Sequence, residues 1–185
     1  MKKSSFIILL LLLSIVYPQS NLTNDFNYKY DKCLKTGRVL GVVEGGTMGL
    51  AHIYWSANNM TNTSEPLWKN IVTGVPSSLI GGYVGYKTTE WATKQILKGN
   101  PTPGNAILKG VLYGCIDGAI TFTASILPLF VIGHYMKTIE FNFDGDEIFL
   151  GLIGTTILGG VGYGGTFGAT IGLVYGPSLS IYMKF

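Results

Sequence analysis

Glycine recurs at every fourth position through the apolar stretches of this chain, and that spacing constrains the fold more than any other feature. It is plainest in Lys98 to Gly118, KGNPTPGNAILKGVLYGCIDG. The Pro/Gly-rich opening of this stretch cannot be helix interior. The apolar run that follows places Gly110, Gly114 and Gly118 on one face of a helix. A face without side chains lets a second backbone approach closely. Helices pack in this way in lipid, where burying apolar surface yields little. The device returns in Gly37, Gly41, Gly45 and Gly49, in Gly81 and Gly85, and at greatest length in Gly160, Gly164, Gly168, Gly172 and Gly176.

Charge content points to the same setting. Only 12% of the residues are charged, while 47% are hydrophobic; a soluble domain carries about 25% charged residues. Long apolar runs with few charges indicate a membrane protein. The formal charge of +3 is small, and the linear sequence shows no basic patch interleaved with aromatics, so no nucleic-acid partner is expected. Cys33 and Cys115 form no metal-ligand spacing and no disulfide framework. Cys115 falls inside an apolar helix, where packing is its expected role.

Three parts are expected: residues 1–20, a lead-in over 21–36, and a transmembrane domain over 37–185. Lys2 and Lys3 precede an apolar core from Phe6 to Tyr17, which is short for a span and fits a secretory signal peptide or an uncleaved anchor. The lead-in, with Lys29, Lys32 and Lys35, reads as exposed. Four spans follow: Gly37 to Ala57, Ile71 to about Leu97, Ala106 to about Met136, and Ile148 to Tyr182. The second half of the second span, Lys87 to Lys98, is amphipathic and is expected to leave the hydrocarbon. Pro76 and Pro128 are expected to kink their helices, and Pro177 to end the last one. Asn21, Asn59 and Asn62 head glycosylation sequons, which matter only in a secretory compartment. Lys and Arg concentrate in the lead-in and the second connection. This obeys the positive-inside rule for four spans, but conflicts with a cleaved signal peptide, which would translocate the lead-in.

A β reading competes. Leu179, Ile181, Met183 and Phe185 alternate with polar or amphipathic residues, and Val161 to Leu173 alternates as well. With a signal peptide, that pattern suits a small bacterial outer-membrane barrel. Against it, Ile126 to Ile132, Ile71 to Gly82 and Ile148 to Ile153 do not alternate, and hairpin turns at ten-residue intervals are missing. The expected fold class is therefore all-α, with four glycine-laddered transmembrane helices. The helix-packing positions are Gly41, Gly45, Gly49, Gly81, Gly85, Gly110, Gly114, Gly118, Gly160, Gly164, Gly168, Gly172 and Gly176.

The hinge and third span resemble the Tim17/Tim22/Tim23 family of mitochondrial inner-membrane proteins. Lys98, Gly99, Pro103, Asn105, Gly110 and Gly114 stand at the spacings of the family's connection between its second and third helices. Glu44-Gly45-Gly46-Thr47-Met48-Gly49 is similar to the acidic residue, paired glycine and Met-Gly of its first helix. The family's charged residues in the polar stretch are absent from Asn100-Pro101-Thr102. The resemblance implies a curved four-helix sheet in the mitochondrial inner membrane, working with other membrane subunits. Its implied role is preprotein translocation, with an acidic, lipid-open groove receiving a positively charged presequence, or accessory service in a respiratory complex. Glu44 matches the first-helix acid, and Glu90 lies near the second-helix one.

Glu44, His52, Glu90 and Asp117 are the ionisable groups in or beside the spans. A charge at mid-bilayer costs about 2.5–3.5 kcal/mol and should face a partner or water. Glu44, Glu90 and Asp117 are thus candidates for a polar groove, the plain alternatives being interhelical hydrogen bonds or snorkelling. Asp117, beside Gly118, suits packing, and His52, near Tyr54 and Trp55, suits the headgroup region. No H-E-x-x-H, nucleophile elbow or P-loop is present, so neither catalysis nor a cofactor is expected.

Overall fold

A computed structural model describes residues 26–58, 66–99, 101–139 and 147–185. Among them the elements are helical throughout: α1 (Phe26–Asn58), α2 (Leu67–Leu97), α3 (Pro103–Met136), α4 (Glu147–Gly159) and α5 (Gly165–Lys184). A π-helical turn, Gly160–Gly164, joins the last two without a break, both of its flanking residues keeping α-helical backbone angles. Two stretches, Pro103–Met136 and Thr156–Lys184, are long and apolar enough to cross a membrane. The signal-like segment 1–20, the sequons and the acidic connection lie outside the described residues, apart from the ends of that connection.

Three expectations are corrected. The stretch Val161 to Leu173 and the C-terminal alternation lie in helix, so the barrel reading fails for the described chain. Leu179 and Ser180 are neighbours and both buried, which a helix set among other helices allows and a strand with opposed faces does not. The helix also runs through Pro177 to Lys184. Proline removes one hydrogen bond and crowds one carbonyl, that of Leu173, and packing of the flanking turns outweighs this. Finally, the lead-in is not an exposed tail from Phe26 onward. Cys33 and Leu34 are buried, because the face that carries Gly37 and Gly41 extends back one turn to meet α2 and α5.

The order of packing is α1 on α2, α2 on α3, and α3 on α5, with α5 returning to touch α1. Glycine sets the first and last of these seams. A methyl group at Gly41 would collide with the Gly85 carbonyl, one at Gly45 with Gly81, and one at Gly49 with Gly74. Between α3 and the last span the opposed pairs are Gly110 with Gly172, Gly114 with Gly168, and Gly118 with Gly164 of the π-helical turn, while Gly176 meets the Ala106 carbonyl. The seam between α2 and α3 is built on hydroxyls. Ser77 Oγ donates to the Ser125 carbonyl at 2.5 Å, and Ser125 Oγ donates to the Gly45 carbonyl at 2.9 Å, tying three helices. Thr88 and Thr121 meet at 2.8 Å, and Thr73 meets Thr138, just past the end of α3, at 3.2 Å. A short hydroxyl satisfied by a carbonyl keeps backbones close without leaving a polar atom bare.

The connections follow local rules. Gly99 at φ +79° reverses the chain after α2, a conformation that side chains resist. Thr102 then caps α3 by accepting from the Asn105 N–H, with Pro103 just inside the helix, where its missing N–H costs nothing.

Candidate functional site

The first and last helices stand apart along part of their length, and α2 and α3 form a floor between them. The resulting cavity has a volume of about 280 Å³. Leu40 and Val43 of α1 and Phe167 and Ile171 of α5 form its apolar walls. Ala92 and Ile96 of α2 and Gly114 of α3 lie beneath them. One end is closed by a cluster of Cys33, Ile96, Leu97, Tyr175 and Leu179. There the Tyr175 hydroxyl reaches the Cys33 carbonyl and the Thr93 hydroxyl, each at 3.3 Å.

Two carboxyls enter this apolar space. Glu44 comes from α1, one residue before Gly45. The Gly45–Gly81 contact pins the backbone there and turns the neighbouring side chain towards the cavity. Asp117 comes from α3, one residue before Gly118, which the Gly164 contact fixes in the same way. Asp117 is buried and accepts from Thr121 Oγ1 at 3.3 Å. Among the described residues neither carboxyl pairs with a lysine or arginine. Thr47 and Thr89 add hydroxyls to the lining, and the buried Thr89 hydroxyl lies close to the Asp117 carboxyl without meeting full hydrogen-bond geometry. The site thus offers oxygen atoms and no cation, inside walls of hydrocarbon.

Glu90 does not belong to it. Its carboxylate accepts from Arg38 Nε at 2.9 Å and lies 2.7 Å from Lys94 Nζ, at the amphipathic end of α2. The Arg38 and Lys94 contacts hold its carboxyl down to about 2, well below the ordinary carboxylate range. His52 is half-buried at the far end of α1, beside exposed Tyr54 and Trp55. Cys33 is sealed in the apolar cluster, and burial pushes its thiol up to about 12.

Two groups that matter here were not singled out from the sequence. Thr89 and Tyr175 line the site and have no distinguishing motif. A signal for the first did exist: Thr73, Ser77, Gly81, Gly85, Thr89 and Thr93 place a small or hydroxyl residue at almost every fourth position along α2.

Aromatic side chains gather at two levels. Tyr54, Trp55, Trp68 and Tyr135 lie at one end of the bundle, and Trp91 and Tyr113 lie towards the other, packed edge to face at 5.5 Å. Along α3, Tyr113 and Tyr135 are about 33 Å apart at 1.5 Å per residue. Trp68 and Trp91 are about 35 Å apart along α2 by the same measure. A bilayer's hydrocarbon core is about 30 Å thick, with aromatic belts at its two interfaces.

No family model, curated protein or solved structure matches this chain.

Proposed function

We propose that this chain is an integral membrane protein with four spans, α1, α2, α3 and the joined α4–α5, and that its groove binds a positively charged amphipathic segment of another protein. The supporting observation is the pairing of Glu44 and Asp117 on one apolar cavity with no basic side chain among the described residues to neutralise them. Carboxyls held in hydrocarbon gain most from a cation that arrives with its own apolar face. An amphipathic helix bearing Arg or Lys on one side meets both needs. The spacing of the aromatic belts supports a transmembrane placement. The resemblance to Tim17/Tim22/Tim23 gives the reading a biological form: preprotein translocation at the mitochondrial inner membrane, with the presequence as the bound segment.

A second reading, an accessory subunit of a respiratory membrane complex, has one observation in its favour. Among the described residues no neighbouring atom stands within 4 Å of where a methyl group at Gly154 or Gly162 would lie, so these two positions on the last span leave room for a neighbouring helix.

The test places a photo-crosslinking residue at Val43 or Phe167 in protein reconstituted into lipid vesicles. A labelled amphipathic peptide with arginines on one face should crosslink, and its glutamine counterpart should not. The double variant Glu44→Gln/Asp117→Asn should lose at least about tenfold in yield, the effect of roughly 1.4 kcal/mol of lost attraction. Equal yields from the charged and neutral peptides would defeat the groove reading.

A further inference from the structure

Basic residues scattered along the chain are brought together by the fold. Lys29, Lys32, Lys35 and Arg38 lie in the first part of α1, and Lys87, Lys94 and Lys98 at the close of α2. Lys109 opens α3 and Lys184 closes α5. The antiparallel order of the helices puts all of these at one end of the bundle, where Asp31 and Glu90 are the only described acids. Lys35 pairs with Asp31, and Arg38 and Lys94 share Glu90. Lys29, Lys32, Lys87, Lys98, Lys109 and Lys184 have no carboxylate partner in the described chain. The opposite end holds two described basic residues, Lys69 and Lys137, and the sequence of its connections carries Glu65, Glu140, Asp144 and Asp146.

Two of the uncompensated cations, Lys32 and Lys87, sit on tyrosine rings, as does the paired Arg38. Lys87 Nζ lies 5.9 Å from the Tyr83 ring and 5.3 Å from the Tyr86 ring, and Arg38 lies 5.5 Å from Tyr86 on its other contact. Lys32 Nζ is 5.8 Å from Tyr28. Lys109 reaches the Lys98 carbonyl, which brings two cations to the α2–α3 corner. Cations held on tyrosines near the end of an apolar span are placed to reach phosphate oxygens, with the rings on their hydrocarbon side. A soluble acidic partner would not need the rings at this depth.

We propose that this end of the bundle is a binding surface for anionic phospholipid headgroups, contacted by Lys32, Lys87, Lys98 and Lys109. The inference rests on the membrane placement but not on the groove. Each basic residue near an anionic surface is worth about a fivefold preference, screened by salt.

The experiment purifies the full chain in mild detergent and measures retention of phosphatidylglycerol against phosphatidylcholine by native mass spectrometry. The parent should prefer the anionic lipid by at least about tenfold, and more weakly after preparation at high salt. The quadruple variant Lys32→Gln/Lys87→Gln/Lys98→Gln/Lys109→Gln should retain the two lipids alike. Lys87→Gln alone, the safeguard should the quadruple variant misfold, should lose up to about fivefold. Lys69→Gln/Lys137→Gln, at the other end, should keep the parent's preference. Equal retention of both lipids by the parent, an undiminished preference in the first two variants, or retention of RNA or an acidic protein in place of lipid would overturn the proposal. Release of the chain from membranes without detergent would instead overturn the membrane placement.

Discussion

Replacing one glycine by alanine should have opposite effects at two positions on the last span. At Gly168 a methyl group would land on the Gly114 carbonyl, well inside van der Waals contact. Relief requires α3 and α5 to part by about 1 Å or more, since carbon atoms pack comfortably at about 3.5–4.0 Å. The seam is continuous, so parting at Gly168 also opens the Gly110–Gly172 and Gly118–Gly164 contacts. A gap of 0.5–1 Å forfeits roughly a quarter to a half of each dispersion contact. Overpacking of this kind costs about 1–3 kcal/mol. At Gly154 no neighbouring atom among the described residues stands within 4 Å of an added methyl group. There alanine should stabilise by about 0.5–1 kcal/mol, the ordinary gain over glycine in a helix. The two variants should therefore differ by about 1.5–4 kcal/mol, more than tenfold in the folded ratio. Titration with dodecyl sulfate from mild detergent, followed by fluorescence of Trp55, Trp68 and Trp91, reads the difference. Coincident midpoints for the two variants would refute the idea that backbone contact, rather than glycine content, holds the helices.

Ser125→Ala removes the hydroxyl that links α3 to the Gly45 carbonyl. It should cost about 0.6 kcal/mol and at most about 1.7, less than the glycine change, in the same titration. Glu90 is more acidic in the folded chain than its ordinary value of 4.5, so the Arg38–Glu90–Lys94 cluster contributes stability that is complete above about 4.5. That contribution fades as pH falls towards about 2, and Glu90→Gln should flatten the difference in midpoint between pH 6 and pH 3. A variant with the parent's pH response would remove Glu90 from that role. Cys33, buried and kept protonated, should resist maleimide at pH 7.5 in mild detergent and react fully in dodecyl sulfate, as counted by mass spectrometry.

Periodicity alone reached the helical class and the faces that meet. Gly110, Gly114 and Gly118 share a side of any helix whatever surrounds them, because 3.6 residues make a turn. Apolar content likewise marks Pro103–Met136 and Thr156–Lys184 as long enough to cross a membrane, because length and hydropathy are properties of a segment. The candidate carboxyls Glu44 and Asp117 could be named from the sequence for the same reason, a charge being conspicuous in an apolar run.

Their association could not. Glu44 and Asp117 share a cavity because α5 folds back to α1 at the Tyr175–Cys33 end and leaves a space elsewhere, and no local pattern encodes that return. Glu90 looked equivalent to them in the chain and is set apart by Arg38, a partner 52 positions away. The course of the chain through Pro177 and the burial of Cys33 were decided in the same way. Contacts between distant segments outweighed the local preferences of proline and of a polar lead-in. Sequence determines which surfaces a helix offers, while the fold determines which neighbour each surface meets, and the chemistry of a site belongs to the meeting.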